Sequence, residues 1–269
     1  MRIAYRKATN KDYWTKRWTD IPSDQPMGNI DAYPLKYAVK MVKHDGGKIL
    51  EAGCGAGRIV RYYHNLGFDI IGVDFVSVAV EKLKAADPSL QVEVGDITQL
   101  RFADCTFKYL LAFGLYHNLE HGLEKAIAET YRVLQPGGSV CASFRADNIQ
   151  TRLTDRWASS QKSSENTNGK LNFHKLNLTR QEFVTLFESA GFNVELVLPV
   201  QNMPILYKFS FFRAATHKKF DENRGRKEGY QLSAVGRLLQ VFLMKYFPDQ
   251  FCNIYVLFAD RVIQAETSP

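Results

Sequence analysis

The sequence predicts an α/β fold, a mostly parallel sheet covered by helices on both faces, and three features carry that prediction. Short apolar runs alternate with helical patterns, a glycine loop joins the first run to the first helix, and acidic residues end the second and third runs. The strand-like runs are residues 48–52, 69–73, 91–94, 109–113 and 139–144. Between them, residues 57–66, 77–86 and 123–134 carry apolar positions three and four apart, which places them along one stripe of a helix. Strands alternating with helices of this length form βαβ units and hence a parallel sheet.

The pattern then changes. Residues 179–190 read as a helix with Thr179 as N-cap, Glu182 three residues on, and Gly191 as the stop. A strand at 193–200 follows directly, but the next, at 254–260, comes only after a long stretch that includes an amphipathic helix at 232–247. Two insertions are therefore expected, at about 146–175 and 201–252, the first containing a polar loop at 158–170. The 269 residues suit one domain, with a core of about 36–145, 176–200 and 253–264, an N-terminal lid at 1–35, and the insertions as caps.

No apolar run reaches the roughly 18–20 residues that a spanning helix needs, and residues 1–20 lack the form of a secretory leader. Cys54, Cys105, Cys141 and Cys252 are far apart and form no C-x-x-C pair. Neither a zinc site nor a disulfide framework is expected, and a cytoplasmic location fits best. Most of the net charge of +7 lies between 201 and 240, where Lys208, Arg213, Lys218, Lys219, Arg224, Arg226, Lys227 and Arg237 face only Asp221, Glu222 and Glu228. Such a surplus suits an anionic partner without saying which.

The chemistry-bearing segment begins at Ile49-Leu50-Glu51-Ala52-Gly53-Cys54-Gly55-Ala56-Gly57, an apolar strand running into G-x-G-x-G and a helix. Glycines there let a ligand approach backbone N–H groups at a helix N-terminus. The dinucleotide pattern G-x-G-x-x-G/A fails, because the third small position is Val60 counted from Gly55 and Arg58 counted from Gly53. Ile70-Ile71-Gly72-Val73-Asp74 puts a carboxylate where it can accept ribose hydroxyls. Val94-Gly95-Asp96-Ile97 places a second acid for an adenine amino group, and Glu129-x-x-Arg132-Val133-Leu134-Gln135-Pro136-Gly137-Gly138 leads into the fifth strand.

In order and spacing these four elements resemble the class I S-adenosylmethionine-dependent methyltransferases, most closely their small-molecule group, with the pattern E-x-G-C-G-x-G, strand-end acid, G-D, R-V-L-x-P-G-G. The resemblance spans about 48–144 and continues less specifically to Ala190-Gly191-Phe192. It implies a Rossmann-like, doubly wound, seven-stranded sheet with an antiparallel last strand and substrate-covering insertions after strands five and six. S-adenosylmethionine is the implied cofactor and S-adenosylhomocysteine the product. By the same resemblance Glu51, Gly53 and Gly55 line the methionine end with Cys54 as a small loop residue, Asp74 holds the ribose, and Phe75 packs on the adenine. Gly95, Asp96 and Ile97 frame its other edge, and Phe113 meets the sulfonium end. The N-terminal Tyr13-Trp14-Thr15-Lys16-Arg17-Trp18 resembles segments that fold over the methionine end, Trp14 excluding water and Arg17 meeting the carboxylate. An amphipathic helix burying Trp14 and Trp18 on the sheet edge is the other reading, and both stay open.

Methyl transfer from a sulfonium is an in-line displacement, so alignment and electrostatics dominate and a base is needed only for a protonated acceptor. The fourth strand runs into Phe113-Gly114-Leu115-Tyr116-His117-Asn118. His117 is the candidate base, with an unperturbed pKa near ~6.5, and Tyr116 could orient the acceptor. A loop-stabilising role for His117 is equally open. His117, Glu120 and His121 lack the H-E-x-x-H order, so no metal is expected. No N-P-P-[YF] occurs, so adenine or glutamine-amide methylation is not expected either. In the second insertion Tyr207, Phe211 and Phe212 are expected to wall the acceptor side, with bases at its rim. The acceptor expected first is a small molecule, lipid or glycan precursor methylated on N or O. Contact with an anionic membrane surface, an RNA substrate, or a catalytically inactive cofactor-binding partner role remain as alternatives.

Overall fold

The computed structural model describes residues 1–162, 171–200, 204–217, 219 and 231–263. Its strands in chain order are β1 (Arg2–Arg6), β2 (Ile49–Ala52), β3 (Ile70–Asp74), β4 (Val92–Val94), β5 (Phe107–Ala112), β6 (Leu134–Arg145), β7 (Asn172–Asn177), β8 (Phe192–Pro199) and β9 (Ile254–Arg261). The main sheet has the order β4-β3-β2-β5-β6-β9-β8. Strands β2 to β6 run parallel, whereas β9 is antiparallel to both β6 and β8. The expected seven-stranded, doubly wound sheet is thus the one observed, with β9 as its antiparallel last strand.

The central strands form because their residues are apolar on both faces, as a sheet covered on two sides requires. Alternate residues face opposite layers. Leu50, Leu110, Val140 and Phe144 pack against one layer with Phe183 and Phe187, while Ile49, Tyr109, Leu111 and Val256 pack against the other with Leu83. The covering helices include α1 (Asn10–Asp20), α2 (Leu35–Met41), α3 (Arg58–Asn65), α4 (Ser77–Ala86), α5 (Leu123–Val133), α6 (Ile149–Lys162) and α7 (Arg180–Glu188). Helix α7 starts at the expected capping box, with Glu182 N donating to Thr179 Oγ1 at 3.2 Å and Thr179 N donating to Glu182 Oε2 at 2.8 Å. Strand order reverses between β2 and β5, and ligands bind in open α/β sheets outside the carboxyl ends at such a switch point.

Two departures from the sequence reading matter. Strand β6 begins at Leu134 rather than at 139, because Gln135–Gly138 continue the ladder through a register irregularity opposite β5. More important, β1 and β7 form a second, antiparallel sheet, pairing Arg2 with Asn177 and Arg6 with Asn172 across a bulge. The N-terminal segment and the first insertion are therefore one structure and not two separate appendages. Arg2 adds ion pairs to Asp147 and Asp155, both at 2.7 Å. Within the second insertion, a short helix (Pro204–Lys208) and two 3-10 turns precede the helix Ala234–Tyr246, whose Ser233 N-cap accepts from Gly236 N at 3.2 Å. Lys218, Arg224, Arg226, Lys227 and positions 163–170 of the polar loop lie outside the described residues.

Gly57 sits at the start of α3 with φ +69°, and a Cβ there would lie 2.3 Å from Cδ2 of the buried Leu83 in α4. Left-handed backbone costs an L-residue roughly 1–2 kcal/mol and overpacking about 1–3 kcal/mol. We expect Gly57→Ala to destabilise the fold by about 2–4 kcal/mol in urea denaturation. An unchanged midpoint would contradict the close approach of α3 and α4.

Candidate active site

Strand β2 ends in a loop whose Gly53 and Cys54 amides donate to Val73 O at 2.7 and 3.0 Å. Gly53, Gly55 and Gly57 all have positive φ, so the backbone can turn beneath α3 while its amides stay exposed to a ligand. Asp74, at the end of β3, ties this loop down: Oδ2 accepts from Gly55 N at 2.8 Å and Oδ1 from Val76 N at 2.9 Å. Each oxygen retains a lone pair for a ligand hydroxyl. Burial pushes the Asp74 pKa up, and the two amides oppose that rise. Glu51 is buried on the other side of the loop, its Oε2 accepting from Val60 N at 2.8 Å. Burial pushes its pKa up to about 8, so it carries a proton at neutral pH. Burial also holds the Cys54 thiol protonated, which removes it as a nucleophile.

These groups open on a cavity of about 710 Å³. Trp14, Glu51, Gly53, Cys54, Asp74, Phe75, Gly95, Asp96, Ile97 and Phe113 all line it, drawn together from a stretch of one hundred residues by the carboxyl ends of β2 to β5. Asp96 Oδ1 accepts from the Thr98 amide and hydroxyl, both at 2.8 Å, leaving Oδ2 as the acceptor for a ligand. Gly55 does not line the space itself. A Cβ there would meet Trp18 Cζ2 at 2.5 Å, so the indole lies directly on the glycine loop.

Trp18 and Trp14 stack at 5.3 Å, 23° apart, on successive turns of α1. Both readings of this segment had one part right: it is a helix, and its half-buried indoles lie over the cavity and not on the sheet edge. Lys82 of α4 fixes its C-terminal end by donating to Trp18 O, Thr19 O and Ile21 O at 2.7–2.8 Å. Asn10 Nδ2 anchors the other end to Asn118 O at 2.7 Å. Arg17 is not in the lining; its guanidinium carbon lies 6.0 Å from the Trp18 ring centroid. Lys11, Arg58 and Lys125 are the lysine and arginine side chains that line the cavity.

Other expected site residues are also placed elsewhere. After Leu115 the chain makes a 3-10 turn that carries Tyr116 and His117 behind the wall, leaving Gly114, Leu115 and Asn118 to line the cavity. Tyr116 is fully buried, its hydroxyl 2.6 Å from Thr130 Oγ1. His117 packs 5.8 Å from Phe144, and burial, then the positive neighbours Arg145, Lys175 and His174, hold its pKa well below the ordinary value. So weak a base is poorly matched to general-base work near neutral pH. Tyr207 is buried with its hydroxyl 2.8 Å from His217 Nδ1. Phe211 is exposed and packs on the half-buried Phe212 at 5.2 Å, which in turn backs onto Gly236. All three knit the second insertion together, and none lines the cavity. His121 does line it, with a fully solvated rim position opposite Glu120. Asn10, Lys11, Trp18, Arg58, Leu115 and Asn118 are among the lining residues that sequence reasoning did not assign. Only Trp18, four residues from Trp14, carried a signal.

Residues 49–138 match the family profile described as a methyltransferase domain. Residues 49–138 thus carry a methyltransferase domain, and the sheet order and glycine loop agree with the class I S-adenosylmethionine-dependent fold that the motif series implies. It is 31% identical over 124 residues to the malonyl-[acyl-carrier protein] O-methyltransferase of Pectobacterium atrosepticum, covering 44% of this chain and 46% of that protein. To the demethylmenaquinone methyltransferase of Renibacterium salmoninarum it is 35% identical over 101 residues, covering 37% and 42%. The chain spans about half the length of the curated relatives it matches. Among solved structures, a SAM-dependent methyltransferase from Methanosarcina mazei shares the fold at a TM-score of 0.57 and 18% identity, covering 87% of this chain and 99% of that one. Among the described residues, no helix is long and apolar enough to cross a membrane.

The raised pKa of Glu51 makes a stability prediction. A carboxyl whose folded pKa exceeds its unfolded value of 4.5 stabilises the fold fully at low pH, and that contribution is lost as pH rises to about 8. Glu51→Gln retains the acceptor for Val60 N but cannot ionise. It should therefore gain on the wild type by on the order of a few kcal/mol between about pH 4.5 and 8 in denaturant unfolding. Parallel pH curves for the two proteins would contradict a buried, protonated Glu51.

Proposed function

We propose that this protein binds S-adenosylmethionine in the cavity between the glycine loop and α1 and transfers its methyl group to a small-molecule acceptor by in-line displacement. The observation that carries the reading is the convergence on that cavity of the glycine loop, the Asp74 and Asp96 carboxylates and the Trp14–Trp18 pair. The donor set fits the cofactor. Asp74 has lone pairs for two ribose hydroxyls, Asp96 Oδ2 can accept from the adenine amino group, and Phe75 and Ile97 supply apolar walls. Lys11 and Arg58 supply positive charge for the methionine carboxylate, and the protonated Glu51 adds a donor.

When bound, the cofactor supplies a methyl group already activated on a sulfonium. The chain's own part is to orient and to exclude water. Trp14 and Trp18 cover the loop, and the wall Gly114-Leu115-Asn118 is the face across which an acceptor approaches. His117 is held far too weak a base and Tyr116 is fully buried against Thr130, so the site favours an acceptor atom that needs no proton removed by either. The relatives act on chemically different acceptors, malonyl-[acyl-carrier protein] and demethylmenaquinone, so likeness to them supports the donor and not the acceptor atom.

Calorimetry with S-adenosylhomocysteine tests the cofactor site. Asp74→Asn puts an NH₂ against the Gly55 or Val76 N–H and removes a hydroxyl acceptor. We expect a roughly 10–100-fold loss of affinity, about 1–3 kcal/mol. Radiolabelled methyl groups offered with a cell extract should appear in the small-molecule fraction. Failure of the wild type to bind would overturn the reading, and label found in RNA would move the acceptor to that class. Binding with no transfer to any fraction would favour a cofactor-binding partner role.

A further inference from the structure

Next to the Gly114–Asn118 turn, the β1–β7 sheet and the end of β6 gather a cluster of basic side chains that the methyl-transfer reading does not use. Arg6 ends β1, His174 and Lys175 lie on β7 at the bulge, Arg145 ends β6, and His117 belongs to the turn after β5. The cluster adjoins the cofactor cavity. A Cβ on Gly114 would lie 3.9 Å from His117 Cε1, Gly114 N donates to Ser143 Oγ at 2.9 Å, and Tyr33 holds the same Ser143 oxygen at 2.9 Å.

Gathering positive charge in a buried space is costly unless an anion joins it. Asp155 is shared by Lys175 at 3.1 Å and Arg2 at 2.7 Å, and Asp147 is shared by Arg2 and Arg152. Arg6 is buried against the neutral Asn10 carboxamide and Tyr13, which it meets through a side-chain hydrogen bond and with its guanidinium carbon 3.8 Å from the ring centroid. Arg6 Nε and His117 Nδ1 are both buried without a hydrogen-bond partner among the described residues. Electrostatics agree with this geometry. Burial, then Arg145, pushes Lys175 down to about 8, and burial, then Lys175, Arg6 and Arg145, pushes His174 down to about 3. Orphaned buried donors and mutually depressed cations beside a ligand cavity mark a place built for a negatively charged group.

We propose that Arg6, His117, Arg145, His174 and Lys175 form the acceptor-recognition site and bind an oxyanion, a carboxylate or phosphate, carried by the methyl acceptor. This rests on the methyltransferase reading, since it places the acceptor across the Gly114 wall from the donor. An Arg fork matches either oxyanion in a bidentate way, and the neutral imidazoles add N–H donors without adding further charge. A neutral acceptor would leave Arg6 Nε and His117 Nδ1 without a partner, so the cluster sets specificity as well as affinity.

The test uses the full chain saturated with S-adenosylhomocysteine, with histidine ring resonances followed by NMR as inorganic phosphate or acetate is added at matched ionic strength. We expect saturable shifts of His117 and His174 with at least one oxyanion and none with chloride. Acetate alone would assign a carboxylate acceptor, and phosphate alone a phosphorylated one. Lys175→Gln and Arg6→Gln should each weaken the oxyanion by about tenfold or more while leaving S-adenosylhomocysteine affinity unchanged. No shift with either oxyanion in cofactor-loaded wild type, or an equal response to chloride, would overturn the site without touching the cofactor assignment. Failure of S-adenosylhomocysteine to bind would instead strike the underlying methyltransferase reading. The wild-type titration decides the matter even if a variant does not fold.

Discussion

The Asp74 carboxylate, held between the amides of Gly55 and Val76, is the contact on which the rest of the site depends. It joins the first and second βα turns, so the glycine loop cannot move without disturbing the end of β3. Because the loop is fixed, Trp18 can lie within van der Waals contact of Gly55, and Lys82 can hold α1 over the cavity through three backbone carbonyls. One buried carboxyl thus organises the glycine loop and the helix over it together. Desolvating it is offset by two charge-assisted hydrogen bonds, and the remaining lone pairs are left for a ligand.

The donor side was legible in the sequence because each of its parts is local. A glycine run after an apolar strand, an acid at a strand end, and G-D at the next strand are fixed by backbone geometry within a few residues, and all of them reach the cavity. The basic cluster was not legible, because it depends on pairing over long distances. Nothing in Arg2–Arg6 announces that it pairs with Asn172–Asn177, and without that pairing Arg6, Lys175 and His174 have no reason to meet. His117 was expected as a base or, equally, as a loop-stabilising residue, and the structure buries it. A one-turn 3-10 segment was enough to carry it off the cavity wall and into the cationic cluster.

The aromatic and basic second insertion misled for a different reason. Tyr207, Phe211 and Phe212 follow β8 at the edge of the sheet, where a cap over the switch point could begin. The chain instead folds back on itself, with Tyr207 bonded to His217 and the Phe212 backbone packed against Gly236. Composition identified the segment as an aromatic surface but could not say which surface. Among the described residues, positive charge positioned beside the Gly114 wall comes from β1, β6 and β7 and not from this insertion.

The central claim is that the cofactor binds in the cavity with its ribose on Asp74 and that the acceptor is held by the basic cluster beside Gly114 and the turn after it. A crystal structure of the protein with S-adenosylhomocysteine tests it most directly. The ribose hydroxyls should sit on Asp74, the adenine between Phe75 and Ile97 with its amino group toward Asp96, and the sulfur should point across the Gly114 wall toward His117. A ligand bound with its ribose away from Asp74, or with its sulfur facing the solvent side of α1, would contradict it.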